Sequence, residues 1–203
     1  MRSTTTTPYS SFRLGAALVA CAALALVVPT GTATAYSEQA EASVTTGSTR
    51  SAILAGGCFW GMEQLLRTLD GVVDTEVGYI AAKGNPKSKP AEAVRIEFDP
   101  RRISYEELLR YYFRIHDPTT MNRQGNDRGA QYRSAIFVLD DEQRAVAERV
   151  RADVDASAFW TAPLVTEIAT AGKFKVAEAF HQDYLVKNPG GYTCHYERTE
   201  TQR

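Results

Sequence analysis

The order in which strand-like and helix-like segments follow one another after residue 50 is what most constrains the fold of this chain. Ser51-Ala-Ile-Leu-Ala55 is a short apolar run that ends in a glycine pair, as a buried strand would be. Phe59 to Leu69 carries Leu65, Leu66 and Leu69 at helical spacing, and Gly71 follows as a stop. Val72 to Tyr79 reads as a second strand. Val94, Ile96 and Phe98 alternate with Arg95, Glu97 and Asp99, which gives a third strand with one wet face. Ser104 and Glu107 form a capping box for a helix whose Leu108, Tyr111, Tyr112 and Ile115 share a face. Tyr132 to Leu139 is the next strand. Asp140 and Gln143 then open a helix with Val146, Val150 and Val154 four apart. Leu164 to Ala169 reads as a strand, and Val176 to Lys187 as a helix ended by Asn188-Pro189-Gly190-Gly191. The first six elements give the split βαβ order of ferredoxin-like folds. The predicted class is α+β: a two-layer plait with a ferredoxin-like βαββαβ core plus an additional helix-strand-helix.

The first 35 residues stand outside that order. Arg2 and Arg13 lie in a Ser/Thr-rich stretch, Leu14 to Val28 is apolar, and Ala33-Thr34-Ala35 is a small-residue exit. This is the layout of a secretory signal peptide, and the apolar run is short for a membrane span. Leu18-Val19-Ala20-Cys21 resembles a lipobox, but the apolar run continues well past Cys21, so a lipid anchor is the lesser expectation. The expected organisation is a signal peptide at 1–35, a polar linker at 36–49 and one folded domain at 50–203. The protein is expected to be exported, to a periplasm or outside the cell. Losing Arg2 and Arg13 and no acid would move the formal charge from −1 to about −3. No basic stripe remains to suggest nucleic acid.

Without Cys21, two cysteines remain, Cys58 and Cys194. In an oxidising compartment their simplest reading is a structural disulfide, closing a loop of about 136 residues worth roughly 4–5 kcal/mol in the chain-entropy model. The surroundings of Cys58 argue for something else. It falls between a strand and a helix in Gly56-Gly57-Cys58-Phe59-Trp60-Gly61-Met62-Glu63, where a thiolate would face free backbone N–H groups and the helix dipole. Such a position would draw a thiol pKa from about 8.5 toward neutrality. Gly56 and Gly57 would let a substrate approach the sulfur, and Phe59 and Trp60 would wall an apolar pocket. These features fit a nucleophile better than half of a staple. The histidines form no ligand cluster by spacing, and no metal, nucleotide or flavin motif is present, so no cofactor is expected.

Gly57-Cys58-Phe59-Trp60-Gly61 with Glu63 resembles the signature of the peptide methionine sulfoxide reductase A family. The likeness continues through Ala91-Glu92-Ala93-Val94, His116-Asp117-Pro118, Gln124-Gly125-Asn126-Asp127 and Gln131-Tyr132-Arg133-Ser134. It reaches His181-Gln182-Asp183-Tyr184-Leu185, Asn188-Pro189-Gly190-Gly191-Tyr192 and Cys194. The resemblance covers about residues 51–196, and the domain expected at 50–203 is similar to that family's catalytic domain. The resemblance implies thiol-dependent reduction of methionine (S)-sulfoxide, free or in proteins. It implies Cys58 as the attacking thiolate, and Glu92 as a protonated carboxyl beside the departing oxygen. Tyr132 would be a second donor to that oxygen, and Asp127 an acceptor for the substrate's backbone amide. Phe59 and Trp60 would hold the methyl group. Cys58 would end as a sulfenic acid that Cys194 condenses to a disulfide, which a thioredoxin-like dithiol then reopens. A monomer is expected.

One departure from the family pattern is plain. Between the second and third strands, members usually carry a longer loop with a further catalytic tyrosine and a histidine before Ala-Glu-Ala. Here no tyrosine follows Tyr79, and Pro90 stands at the histidine's place. One donor to the sulfoxide oxygen is therefore missing, and a catalytically weakened or purely sulfoxide-binding member is the alternative. A general thiol–disulfide oxidoreductase is a further rival, although no C-x-x-C is present.

Overall fold

A computed structural model describes residues 48–199. The expected signal peptide, and all but the last two residues of the expected linker, lie outside the described residues. Elements β1 (Arg50–Gly56), α1 (Phe59–Leu66), β2 (Val72–Ile80), β3 (Ala91–Phe98) and α2 (Tyr105–Ile115) come first. They are followed by a small hairpin of β4 (Arg123–Gln124) and β5 (Asp127–Arg128) and a 3₁₀ turn at Ala130–Tyr132. The chain then forms β6 (Ser134–Val138), α3 (Asp141–Ala156), β7 (Glu167–Thr170), β8 (Lys175–Val176) and a short α4 (Tyr184–Lys187).

The main sheet has the order β7-β6-β1-β3-β2-β8. Its central four strands are all antiparallel, as the split βαβ order requires, and β7 adds parallel to β6 across the α3 crossover. One face of the sheet, through Ala52, Leu54, Val77, Val94, Ile96 and Ile136, packs under α1, α2 and α3. The opposite face is built largely of alanines with Ile53, Ile80 and Phe137, and Phe174 lies against it. The α+β plait is thus the architecture found. Both expected helix starts are present. Ser104 Oγ accepts from Glu107 N–H at 3.1 Å while Glu107 Oε2 accepts from Ser104 N–H at 2.8 Å, and Asp140 Oδ1 accepts from Gln143 N–H at 2.7 Å.

Besides the first helix, which ends at Leu66 rather than Leu69, three boundaries differ from the sequence reading. The helix expected over 176–187 shrinks to Tyr184–Lys187, because the sheet edge takes the first part of the segment. Val176 pairs with Gly78, Ala177 N–H donates to Val77 O at 3.0 Å, and the Gln182 amide bonds both Val77 N–H and Val77 O. Asp183 then sits at φ 55°, which ends any continuous helix. The strand expected from Tyr132 begins at Ser134, because Tyr132 N–H closes the 3₁₀ turn on Gly129 O at 3.0 Å. The strand expected from Leu164 begins at Glu167, since Val165 N–H goes to Pro118 O at 2.8 Å.

Candidate active site

Cys58 is the N-cap of α1, with φ −57° and ψ 120°, at the point where β1 has left the sheet. Its side chain is buried, 7% exposed. Glu92 reaches the same place from β3: its Oε2 accepts the Phe59 N–H at 3.2 Å, one of the free donors of the first helical turn. Strand alternation sets this geometry. Glu92 shares a face with Val94 and Ile96 of the core beneath the helices, so its carboxyl rises toward the end of α1. Tyr79, its register partner on β2, lies on the same face, with its ring 5.6 Å from the Phe59 ring.

Burial pushes the Glu92 carboxyl up to about 7; the Phe59 N–H pulls it back in part, and the charge of Asp127 adds to the rise. A carboxyl there is still half protonated near neutral pH. The thiol behaves opposite to the sequence expectation. Burial pushes Cys58 up to about 12, more than the Trp60 backbone N–H can offset, and the nearby charges of Glu92 and Asp127 raise it further. The helix terminus favours a thiolate by about 0.3–1 kcal/mol, too little to outweigh desolvation among acids. Cys58 therefore rests as a thiol, and its proton must be taken when it reacts.

Tyr132 stands in the 3₁₀ turn, within electrostatic reach of Glu92, Asp127 and Cys58; burial, then the Glu92 charge, holds its phenol protonated. The phenol of Tyr79 is also held up, by burial and then by Glu178 and Glu92. Phe59 is buried against Tyr79 and His181. Trp60 stacks on Tyr184 at 3.7 Å and donates its Nε1–H to His181 Nδ1 at 3.1 Å. His181 and Tyr184 thus fix the tryptophan, a task that their spacing in the sequence did not disclose.

Asp127, on the β4–β5 hairpin, is occupied by the chain's own tail. Its Oδ1 accepts the Tyr192 hydroxyl at 3.1 Å and its Oδ2 accepts the Cys194 thiol at 3.4 Å. Cys58 and Cys194 are both free, near enough that a charge on Cys194 raises Cys58. Burial pushes Cys194 up to about 11, with the Asp127 contact next in weight. The site therefore gathers Cys58, Glu92, Tyr132, Asp127 and Cys194, with Phe59 and Trp60 alongside. The glycines serve a different end from substrate access. A Cβ on Gly57 (φ 111°) would meet Gln124 Cγ at 2.4 Å, and one on Gly56 would meet His116 Cγ at 2.9 Å. They admit the protein's own packing.

Glu63 belongs to a separate cluster. It is 1% exposed, accepts Asp183 N–H at 3.0 Å, and pairs with Arg67 at 3.0 Å, so it ties α1 to the start of α4. A groove between α2 and α3 is lined by Phe113, Val154 and Phe159, and none of the residues gathered around Cys58 lines it. Its Arg110 and Arg114 are paired with Glu106, Asp153 and Glu197.

Known proteins show the same arrangement of chain and fold. The family model described as peptide methionine sulfoxide reductase matches residues 50–203. Peptide methionine sulfoxide reductase MsrA of Nocardia farcinica is 57% identical over 157 residues, covering 75% of this chain and 92% of the relative. Among solved structures, reduced Mxr1 from Saccharomyces cerevisiae aligns with a TM-score of 0.69 at 35% identity, over 76% of this chain and 94% of that one. Mxr1 in complex with Trx2 aligns with a TM-score of 0.55 at 27% identity, over 76% of this chain and 93% of that one. A match over almost the whole folded region, with a relative this similar, places the chain in the peptide methionine sulfoxide reductase family.

Proposed function

We propose that the protein reduces methionine (S)-sulfoxide, free or in proteins, to methionine at Cys58. The observation that carries this reading is a buried thiol within electrostatic reach of a carboxyl that titrates near neutrality and accepts the N–H of the next residue, Phe59. Glu92 takes the thiol proton as the Cys58 sulfur attacks the sulfoxide sulfur, then delivers it to the sulfoxide oxygen. With a second proton, relayed by Tyr132 or by solvent, the oxygen leaves as water. Hydrolysis of the sulfonium intermediate releases methionine and leaves Cys58 as a sulfenic acid. Phe59 and Trp60 hold the methyl group and so select one epimer. Asp127 accepts the substrate's backbone amide with the lone pairs that its two tail contacts leave open.

Cys194 then condenses with the sulfenic acid to a Cys58–Cys194 disulfide, with loss of water. A thioredoxin-like dithiol reopens it; the relative Mxr1 crystallised with Trx2 supports a partner of this kind. The leader-like residues 1–35 support action outside the cytoplasm, in a periplasm or beyond the cell. The test is steady-state reduction of (S)- and (R)-sulfoxide peptides with dithiothreitol. The reading expects turnover of the (S) form alone and none by Cys58→Ser. Equal rates for wild type and Cys58→Ser would reject it.

A further inference from the structure

The segment Thr193-Cys194-His195 packs against the loop and helix that carry Cys58, and the glycines there make room for it. A Cβ on Gly61 would lie 2.4 Å from Thr193 Oγ1 and 2.5 Å from His195 Nδ1, and one on Gly57 would lie 3.1 Å from His195 Cε1. One on Gly125 would lie 2.8 Å from Cys194 Cβ. His195 is at the centre of this contact, 6% exposed, with Nε2 2.8 Å from Gly56 O. A carbonyl oxygen only accepts, so Nε2 carries the proton and Nδ1 is bare. That bare nitrogen is 3.6 Å from Cys194 Sγ.

We propose that His195 serves the resolving half of the reaction: it pins the tail to the loop of Cys58 and accepts the Cys194 proton at Nδ1 as the disulfide forms. Burial, only partly offset by the Gly56 contact, lowers His195 to about 4, so the ring is neutral with Nδ1 open at neutral pH. It takes the proton only as the sulfur–sulfur bond forms and makes that proton far more acidic than in the resting thiol. Asp127 Oδ2, at 3.4 Å, is the other acceptor on this thiol. A carboxylate beside a forming thiolate repels it, whereas an imidazole that has taken the proton attracts it. In the step, the Cys194 S–H bond breaks to His195 and the Cys194 sulfur bonds to the Cys58 sulfur. The Cys58 S–OH bond breaks, and the hydroxyl takes a proton from Glu92 and leaves as water. Cys58 is reduced by the same amount that Cys194 is oxidised, and no outside oxidant is needed.

The inference rests on the reductase reading above, and its test separates the two. Wild type, His195→Gln and His195→Asn are mixed with excess sulfoxide peptide and no reductant. Methionine release, dimedone capture of sulfenate, and loss of two hydrogens by intact mass are then followed together. Glutamine keeps an N–H for Gly56 O but has no basic lone pair at the thiol. We expect His195→Gln to release methionine at the wild-type rate, form the disulfide roughly 10²-fold more slowly and accumulate trappable sulfenate. Dithiothreitol, which attacks the sulfenate directly, would restore its turnover. Disulfide formation within about threefold of wild type in His195→Gln would overturn the inference. Loss of methionine release from both variants would overturn it too, since His195 would then serve the first step or the fold. Failure of wild type itself to release methionine would overturn the reductase reading, and this inference with it.

Discussion

The protons on Cys58 and Glu92 make a pH profile the sharpest probe of the first chemical step. With Glu92 at about 7 and Cys58 at about 12, the pair holds two protons below neutrality and one between these values. The reacting state is the one-proton state, in which Glu92 as carboxylate removes the thiol proton. Its population rises from about 1% at pH 5 to about 90% at pH 8, so the rate of methionine release should climb roughly ninetyfold and then stay level to about pH 10. The sign follows from the raised Glu92 pKa: acid keeps the carboxyl protonated and unable to take the proton. Glu92→Gln removes the acceptor. Its rate at pH 7 should fall about 10²–10⁴-fold and then follow the thiolate, rising about tenfold per pH unit from 7 to 10. Rapid-quench single turnovers of a sulfoxide peptide, without reductant, read this step apart from the resolving one. A wild-type rate that falls above pH 7 would refute the scheme, because Cys58 would then be ionised beforehand with Glu92 acting only as an acid.

Other perturbations are read from single contacts. Glu63→Gln takes one of two carboxylates from Arg67, which keeps Asp183, and leaves an amide oxygen for the Asp183 N–H, so it should cost only about 1 kcal/mol in urea unfolding, with methionine release per folded enzyme unchanged. Trp60→Phe loses the bond to His181 and much of the stack on Tyr184, and should raise KM for the sulfoxide peptide about fivefold with little change in kcat. Gly61→Ala drives a methyl group into Thr193 and His195, and should lower stability by about 1–3 kcal/mol. The same variant should slow disulfide formation more than methionine release, as quenched-flow mass measurements would show.

The central strands and the helix starts were legible because their cues are local. Alternation in Val94–Phe98 and the caps at Ser104 and Asp140 need nothing beyond their neighbours in sequence. The segment 176–187 was not legible, because its apolar spacing reads as a helix while the Val77 backbone, a hundred residues earlier in the chain, takes its hydrogen bonds. The site shows the same division. The identity of Cys58, Glu92, Tyr132, Asp127 and Cys194 could be carried over motif by motif. The protonation of Cys58 could not, since burial and the charges of Glu92 and Asp127 come from three separate parts of the chain. Nor could the purpose of the glycines. Gly56 and Gly57 read as an opening for substrate, but His116, Gln124 and the tail's His195 stand where their side chains would be. His195 merely adjoins Cys194 in the sequence, and only the fold buries it against Gly56.

The central claim is that Cys58 takes the oxidation from methionine sulfoxide and passes it to Cys194. One equivalent of an (S)-sulfoxide peptide, added to the reduced protein without reductant, tests this when released methionine and intact protein mass are recorded in the same sample. The account predicts one methionine per protein and a mass lower by two hydrogens, with neither change in Cys58→Ser. An unchanged mass with no methionine released, or methionine released by Cys58→Ser at the wild-type rate, would contradict it.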